Sequence, residues 1–270
     1  MKKIVLFFSI LFNLGTAITM HEYDRYIRND SGVFWNNKKI EGADIETFQK
    51  LYLKVLNFGV GSSYAKDKNV VYYKGKVIEN ADVETFEIFD NFGYSKDKNS
   101  VYFEGEKFLK VDPNTFEVLD YDYIKDKNSV YFQRKLINKA DPVTFKPLDS
   151  FFSYYSKDKK YVYYQEKLVK GADSGTLKKV ELNAGNSKIL DFGSTYASDK
   201  NSVYFKGKKI SGADPKTFEA LSSELSRDEN DFYYNGEKLN VHIKTFEYTL
   251  EGSCVKGKDR NKIYEYGCDK

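Results

Sequence analysis

The stretch YAKDKNVVYYKGKVIENADVETF, Tyr64 to Phe86, contains every piece that recurs along this 270-residue chain. Its triplet Asp67-Lys68-Asn69 returns as Asp97-Lys98-Asn99, Asp126-Lys127-Asn128 and Asp199-Lys200-Asn201. Looser copies stand at Asp158-Lys159-Lys160, Asp228-Glu229-Asn230 and Asp259-Arg260-Asn261, and Asp30-Ser31-Gly32, one residue short, makes an eighth. Such self-similarity identifies a repeat architecture. Asp can accept from backbone amides two residues on and Asn tolerates left-handed backbone, so the triplet reads as a tight connection between two strands.

An aromatic strand follows each triplet: Val71-Tyr72-Tyr73, Val101-Tyr102-Phe103, Val130-Tyr131-Phe132, Val162-Tyr163-Tyr164, Val203-Tyr204-Phe205 and Phe232-Tyr233-Tyr234. Val and aromatic residues suit a pleated, half-buried surface. Turn pairs such as Lys74-Gly75, Lys206-Gly207 and Asn235-Gly236 come next, and a short strand such as Lys76-Val77-Ile78 completes a three-stranded meander. Gln133-Arg134 and Gln165-Glu166 lack the Gly, so their turns are expected to differ.

Asp44, Asp82, Asp112, Asp141, Asp173 and Asp214 each precede a Thr by three positions. Asp is a favoured helix N-cap, and Pro113, Pro142 and Pro215 sit where a first helical residue would be. The expected element is one helical turn ended by a core aromatic: Phe48, Phe86, Phe116, Phe145, Phe218 or Phe246, with Leu177 as the exception. Triplet Asp and helical Thr are 18 residues apart in five of seven copies and 17 in the other two, whereas Thr to the next Asp varies from 11 to 23. The meander plus turn is the fixed module, and the joining segment varies.

This Asp-Lys-Asn-x-x-Tyr-Tyr string resembles the DKNYY family over roughly residues 30–267. The resemblance implies a repeat-bearing bacterial protein, often exported, and supplies no catalytic residues.

A meander of this size cannot bury its own apolar face, so successive copies must share a core. The expected fold is an all-β repeat of tandem three-stranded meanders, each with one short helical turn. An open twisted array is favoured over a closed propeller-like ring, because the first copy has its own leading segment and the chain ends in a surplus hairpin at 253–267. Seven full copies plus that C-terminal hairpin cap form a single repeat domain over 20–270. Cys254 and Cys268, the two cysteines of the chain, flank the last turn and are expected to form a disulfide.

Met1-Lys2-Lys3, the apolar run Ile4 to Leu14 and the small residues Gly15-Thr16-Ala17 read as a signal peptide over 1–17, with cleavage after Thr19 as an alternative. The chain is therefore expected to be exported, to the periplasm or to the cell surface or extracellular space, with no membrane span in the mature chain. Without Lys2 and Lys3 the chain carries 41 basic and 40 acidic residues, which argues against a nucleic-acid partner.

Asp-x-Asn opens calcium loops, but the later ligands, the central Gly and the closing Glu are missing here. Only His21 and His242 exist, without ligand-spaced companions, so no metal or cofactor is expected. Gly252-Ser253-Cys254-Val255-Lys256-Gly257-Lys258 imitates a phosphate loop but leads into Asp259 instead of Ser or Thr. Carboxylates recurring at one module position are turn and cap chemistry rather than a catalytic pair. A candidate binding surface is an exposed stripe of Trp35, Tyr72, Tyr102, Tyr131, Tyr163, Tyr204 and Tyr233; the competing reading makes these rings core. The expected function is non-enzymatic: a scaffold or binding module for a protein or glycan of the cell envelope. The alternative is a glycan hydrolase-like envelope enzyme with its site in the 171–199 segment.

Overall fold

The computed structural model describes residues 25–55, 58–89, 93–108, 110–120, 122–148, 154–183, 195–251, 254–260 and 262–268. The expected signal peptide and the middle of the 171–199 segment lie outside them. The chain divides into a unit ending at Asn114 and a unit beginning at Thr115. Among the described residues there is no helix, and all strands belong to eight antiparallel sheets in tandem, none closed into a barrel.

A representative sheet contains Glu87–Ile88, Tyr94–Lys96, Val101–Phe103 and Glu106–Phe108, hydrogen-bonded in chain order. Three of these strands are the expected meander. The fourth, leading strand corrects the three-stranded expectation: two residues after the connector Phe pair with the next first strand, as Glu87↔Lys96 and Ile88↔Ser95 do. Two residues are too few to display strand alternation, so nothing in the sequence marks them. Among the described residues only the first and last sheets are three-stranded. In the second, the leading and first strands lengthen into a ribbon, Gln49–Val55 against Phe58–Lys66, with a register shift between Lys50 and Tyr52.

The expected helical turn is a single turn that never propagates. Phe48 N donates to Asp44 O at 3.0 Å and Phe145 N to Asp141 O at 2.9 Å, while Asp44 Oδ1 accepts from Thr47 N at 3.0 Å. One such bond is a helix nucleus, and the following residues gain more from strand pairing. The turn delivers its Phe between two sheets. Phe86 lies 5.7 Å from the ring of Tyr64 in its own sheet and 5.7 Å from Tyr102 in the next. Phe145 bridges Tyr123 and Tyr163 at 5.5 and 6.0 Å, and Phe218 bridges Tyr196 and Tyr233 at 5.6 and 6.2 Å. Each such ring contributes on the order of 2 kcal/mol by burial, and it is buried by its neighbour sheet rather than by its own.

Two local expectations change. Asn29, not Asp30, heads the first copy: its Oδ1 accepts from Ser31 N at 3.0 Å, as Asp67, Asp97, Asp126, Asp158, Asp199 and Asp228 accept from the residue two further on. Gln133-Arg134 keeps the two-residue hairpin turn without Gly, with φ of 45° and 66°. The left-handed conformation costs an L-residue roughly 1–2 kcal/mol, which the flanking pairs Tyr131↔Leu136 and Phe132↔Lys135 absorb.

The last sheet, β-strands Phe246–Glu251, Cys254–Asp259 and Lys262–Tyr266, packs on the one before it. Phe246, Tyr248, Tyr264 and Tyr266 pack with Phe232 and Leu239 of the preceding sheet. The opposite face pairs Glu247 with Lys258 and Lys256 with Glu265, and Lys256 Nζ reaches Glu251 at 2.7 Å. Cys254 and Cys268 form a disulfide, Cα–Cα 4.4 Å, which closes this hairpin as expected. Changing both to Ser is expected to cost about 2 kcal/mol by freeing the loop in the unfolded chain. Hydrogen exchange should show fraying confined to 254–266; loss of protection throughout the chain would contradict a local role.

Candidate functional site

The recurring polar residues converge where one sheet hands over to the next. Asp199 is buried, with both carboxylate oxygens committed. Its Oδ1 accepts from Asn201 N and Ser202 N, each at 2.8 Å. Its Oδ2 accepts from the Tyr204 hydroxyl at 2.8 Å and from Asp173 N, in the connector of the preceding copy, at 2.8 Å. Asp67, Asp97, Asp158 and Asp228 repeat all four bonds; for Asp158 the donors are Lys160 N, Tyr161 N, Tyr163 Oη and Asp141 N. An ionised carboxylate has about four acceptor sites, so each Asp is saturated and offers calcium nothing.

The connector is also gripped through its Thr. Lys68 N, Lys98 N and Lys200 N donate to Thr47, Thr85 and Thr176 Oγ1 at 3.0, 3.1 and 3.1 Å. The same lysines reach back with Nζ to the capping carboxylates of Asp44, Asp82 and Asp173 at 2.6, 2.6 and 2.8 Å. From the sheet before, Lys66 Nζ donates to Val83 O at 2.9 Å, and Lys157 Nζ to Ser174 O at 2.8 Å. The Asp-Lys-Asn-x-x-Tyr string and the Asp-x-x-Thr string are thus two halves of one joint.

The joint is charged and sensitive to acid. Hydrogen bonds from Lys68 and Thr47 hold the Asp44 carboxyl down at about 2, and those from Lys98 and Thr85 do the same for Asp82. Burial alone would push Asp67 and Asp228 up, but their four hydrogen bonds outweigh it and hold both low. Carboxyls lower in the folded than in the unfolded chain stabilise the fold above their ordinary value of 3.8 and stop doing so as pH falls to about 2. Asp122, pushed up by burial, acts in the opposite sense. Thermal midpoints are therefore expected to be nearly flat between about pH 5 and 8 and to drop steeply between about pH 4 and 2. A flat profile down to pH 2 would show that these carboxylates do not hold the joints.

The proposed exposed stripe is not one. Tyr72, Tyr102, Tyr131, Tyr163, Tyr204 and Tyr233 are all buried, at most 3 % exposed. Five of the six, Tyr72, Tyr102, Tyr163, Tyr204 and Tyr233, donate their hydroxyl to the Asp of their own triplet. Burial and then the Asp199 bond push the Tyr204 hydroxyl up to about 12. Trp35 is different. It aligns with Tyr73, Phe103, Phe132, Tyr164, Phe205 and Tyr234, one residue later in the strand and on the opposite face. On that face Trp35, Tyr73, Phe103, Tyr164 and Tyr234 are half-buried. Directly across from them stand third-strand residues: Trp35↔Lys38, Tyr73↔Lys76, Phe103↔Glu106, Tyr164↔Lys167 and Tyr234↔Glu237. This aromatic face packs between sheets: Trp35 lies 4.6 Å from the Tyr26 ring and Tyr73 4.7 Å from the Tyr64 ring, and the next sheet's turn closes on each, a Cβ at Gly75 or Gly105 falling 2.6 Å from Trp35 or Tyr73 Cβ. The period of two was its sequence signal, since Trp35 and Tyr72 cannot share a face.

A cavity of about 230 Å³ lies between the connectors at Thr85 and Pro113. Its Lys96 is already held by Pro113 O at 3.2 Å and by Glu87 at 3.3 Å, and its Asp97 belongs to a joint. Among the described residues no group of three or more His, Cys, Asp or Glu is arranged to hold a metal. No described helix is long and apolar enough to cross a membrane.

The model of the DKNYY family matches residues 26–167 and 123–267. No curated protein and no solved structure matches the chain.

Proposed function

We propose that this chain, which belongs to the DKNYY family, is an exported, non-enzymatic repeat scaffold that presents a binding face to a protein or glycan of the cell envelope. The observation that carries the reading is the use of the repeated polar groups. Every recurring Asp oxygen described above accepts bonds inside a joint, so repetition serves rigidity rather than a reaction. What repeats on the outside is the third strand, whose exposed side chains Lys38, Lys76, Glu106, Lys135, Lys208 and Glu237 form a periodic polar edge open to contact. Export is supported by the N-terminal basic and apolar residues and by the Cys254–Cys268 disulfide, which is compatible with an oxidising compartment.

Fractionation of producing cells, with N-terminal sequencing of the recovered protein, tests export; the expected first residue is Ile18 or Met20. Incubation of the mature chain with insoluble envelope material tests the binding role, the expected result being saturable co-sedimentation. A chain that stays in the cytoplasm with its first residues attached, or that turns over envelope glycan, would sink the reading.

A further inference from the structure

We propose that three consecutive third strands, Lys135–Leu136, Lys167–Leu168 and Lys208–Lys209, form a basic edge by which the chain lies against an anionic phospholipid bilayer. This contact goes beyond the protein or glycan partner of the reading above.

The chain as a whole is nearly balanced in charge, but its copies are not alike. Each third strand, with the turn before it and the residues leading to the connector, occupies a seven-residue segment. Segments 133–139, 165–171 and 206–212 together carry eight basic residues and one acidic, whereas 36–42, 74–80, 104–110 and 235–241 carry seven and five. The carboxylates of the same copies are engaged elsewhere. Asp158 and Asp199 are buried in joints, and Asp141 and Asp173 pair with Lys159 and Lys200. Lys135, Lys139, Lys167, Lys170, Lys208 and Lys209 are exposed, and none of them makes an ion pair among the described residues.

The three strands lie in successive sheets of the unit beginning at Thr115, and their levels adjoin. Phe132, opposite Lys135, is 6.3 Å from the ring of Tyr154, which is 6.0 Å from that of Tyr164, opposite Lys167. The turn leading to Lys208 sits against Tyr164, where a Cβ on Gly207 would be 2.6 Å from Tyr164 Cβ. Packed sheets are about 10 Å apart, so the row is about 20 Å long. The following sheet ends it, with Glu237 opposite Tyr234 and Asp231 holding Lys238 at 2.6 Å. Tyr164 and Phe205 are covered by the turns at Gly207 and Gly236, so this edge recognises by charge and not by stacking. Seven of its eight basic residues are lysines, compact point charges on flexible stems without arginine's fork. A row of unpaired ammoniums complements a plane of lipid phosphates, to which each added lysine strengthens attraction. Lysines that only guard sheet edges would be spread over all copies alike.

The full mature chain is sedimented with vesicles of phosphatidylcholine alone and with vesicles containing about 30 mol% phosphatidylglycerol. The expected result is saturable binding to the anionic vesicles and none to the neutral ones. Affinity should fall at least tenfold between about 50 and 300 mM salt, as exposed charges are screened. The quadruple change Lys135→Gln, Lys167→Gln, Lys208→Gln and Lys209→Gln should weaken binding at least tenfold and leave the melting midpoint unchanged. Removing the same charge elsewhere, by Lys38→Gln, Lys39→Gln, Lys76→Gln and Lys107→Gln, should weaken it less than twofold. Equal binding to neutral vesicles, or equal losses in the two quadruple variants, overturns the proposal. A chain that ignores anionic vesicles yet binds soluble polyphosphate through the same lysines overturns the bilayer assignment. None of these outcomes decides whether the chain also holds an envelope protein or glycan, which the co-sedimentation with envelope material tests separately.

Discussion

Replacing Asp199 with Ala is expected to lower stability by about 4 kcal/mol, among the largest effects available to a single residue of this chain. Its carboxylate satisfies three backbone amides and one hydroxyl. An unmet buried donor costs roughly 1–3 kcal/mol, and water entering the vacated volume recovers part of that. Tyr204→Phe removes one of the four bonds and is expected to cost about 1 kcal/mol. The double variant should be scarcely worse than Asp199→Ala alone, because the Tyr204 bond is already lost in that background. Urea unfolding of the parent and the three variants supplies the cycle. Hydrogen exchange locates the damage: Asn201, Ser202 and, 26 residues away, Asp173 should lose protection together. A cost under 1 kcal/mol, or damage confined to 199–202, would mean that the joint does not couple neighbouring sheets.

That reach across 26 residues marks the limit of what the sequence displays. The local half of the joint was legible. Asp with an amide two residues on is a known turn habit, and Asp followed by Thr at three residues is a capping habit. The link between them was not. The separation of connector Asp and triplet Asp is 14 residues at Asp214–Asp228 and 26 at Asp173–Asp199. A fixed offset would have shown as a motif, whereas a variable loop between fixed partners shows as two unrelated ones. The two-residue leading strands failed for a different reason. Lys178–Lys179 carries no strand propensity at all and pairs because Tyr196–Ser198 presents an open edge.

The aromatic face was legible in type but not in side. A run such as Val71-Tyr72-Tyr73 places one ring on each face of the sheet, and composition does not say which is covered. The covering group is a hydrogen bond. Tyr72 turns to the joint because Asp67 Oδ2 awaits its hydroxyl at 2.6 Å, and Tyr73 packs on the Tyr64 ring under the next sheet's turn at Gly105. The first copy shows what happens without that pair. Asn29 stands where the triplet Asp would, Phe34 stands where the Tyr would, and Phe34 is only half-buried. Joint chemistry and packing between sheets are therefore one choice: fixing the joint tyrosine selects the ring that the next sheet's turn covers.

Gly207→Ala is expected to cost about 3 kcal/mol and Gly212→Ala about 1 kcal/mol, although the two glycines have nearly the same backbone. Their φ values are +78° and +80°, so the conformational cost of a Cβ is common to both. Their surroundings differ. A Cβ at Gly207 would sit 2.6 Å from Tyr164 Cβ in the preceding sheet, whereas one at Gly212 meets nothing within 4 Å. Gly207 N also donates to the Tyr155 hydroxyl of that sheet at 2.8 Å, which pins the turn in place. The turn cannot retreat without breaking that bond. Arg134, at φ 66° in the equivalent turn, shows that left-handed backbone by itself does not demand glycine. At Gly207 it is the approach of one sheet's turn to its neighbour's ring that does. Denaturant midpoints of the two alanine variants separate the terms. Equal losses would mean that the sheets can part at this turn at no cost, and the shared core between successive copies would then not be what orders the chain.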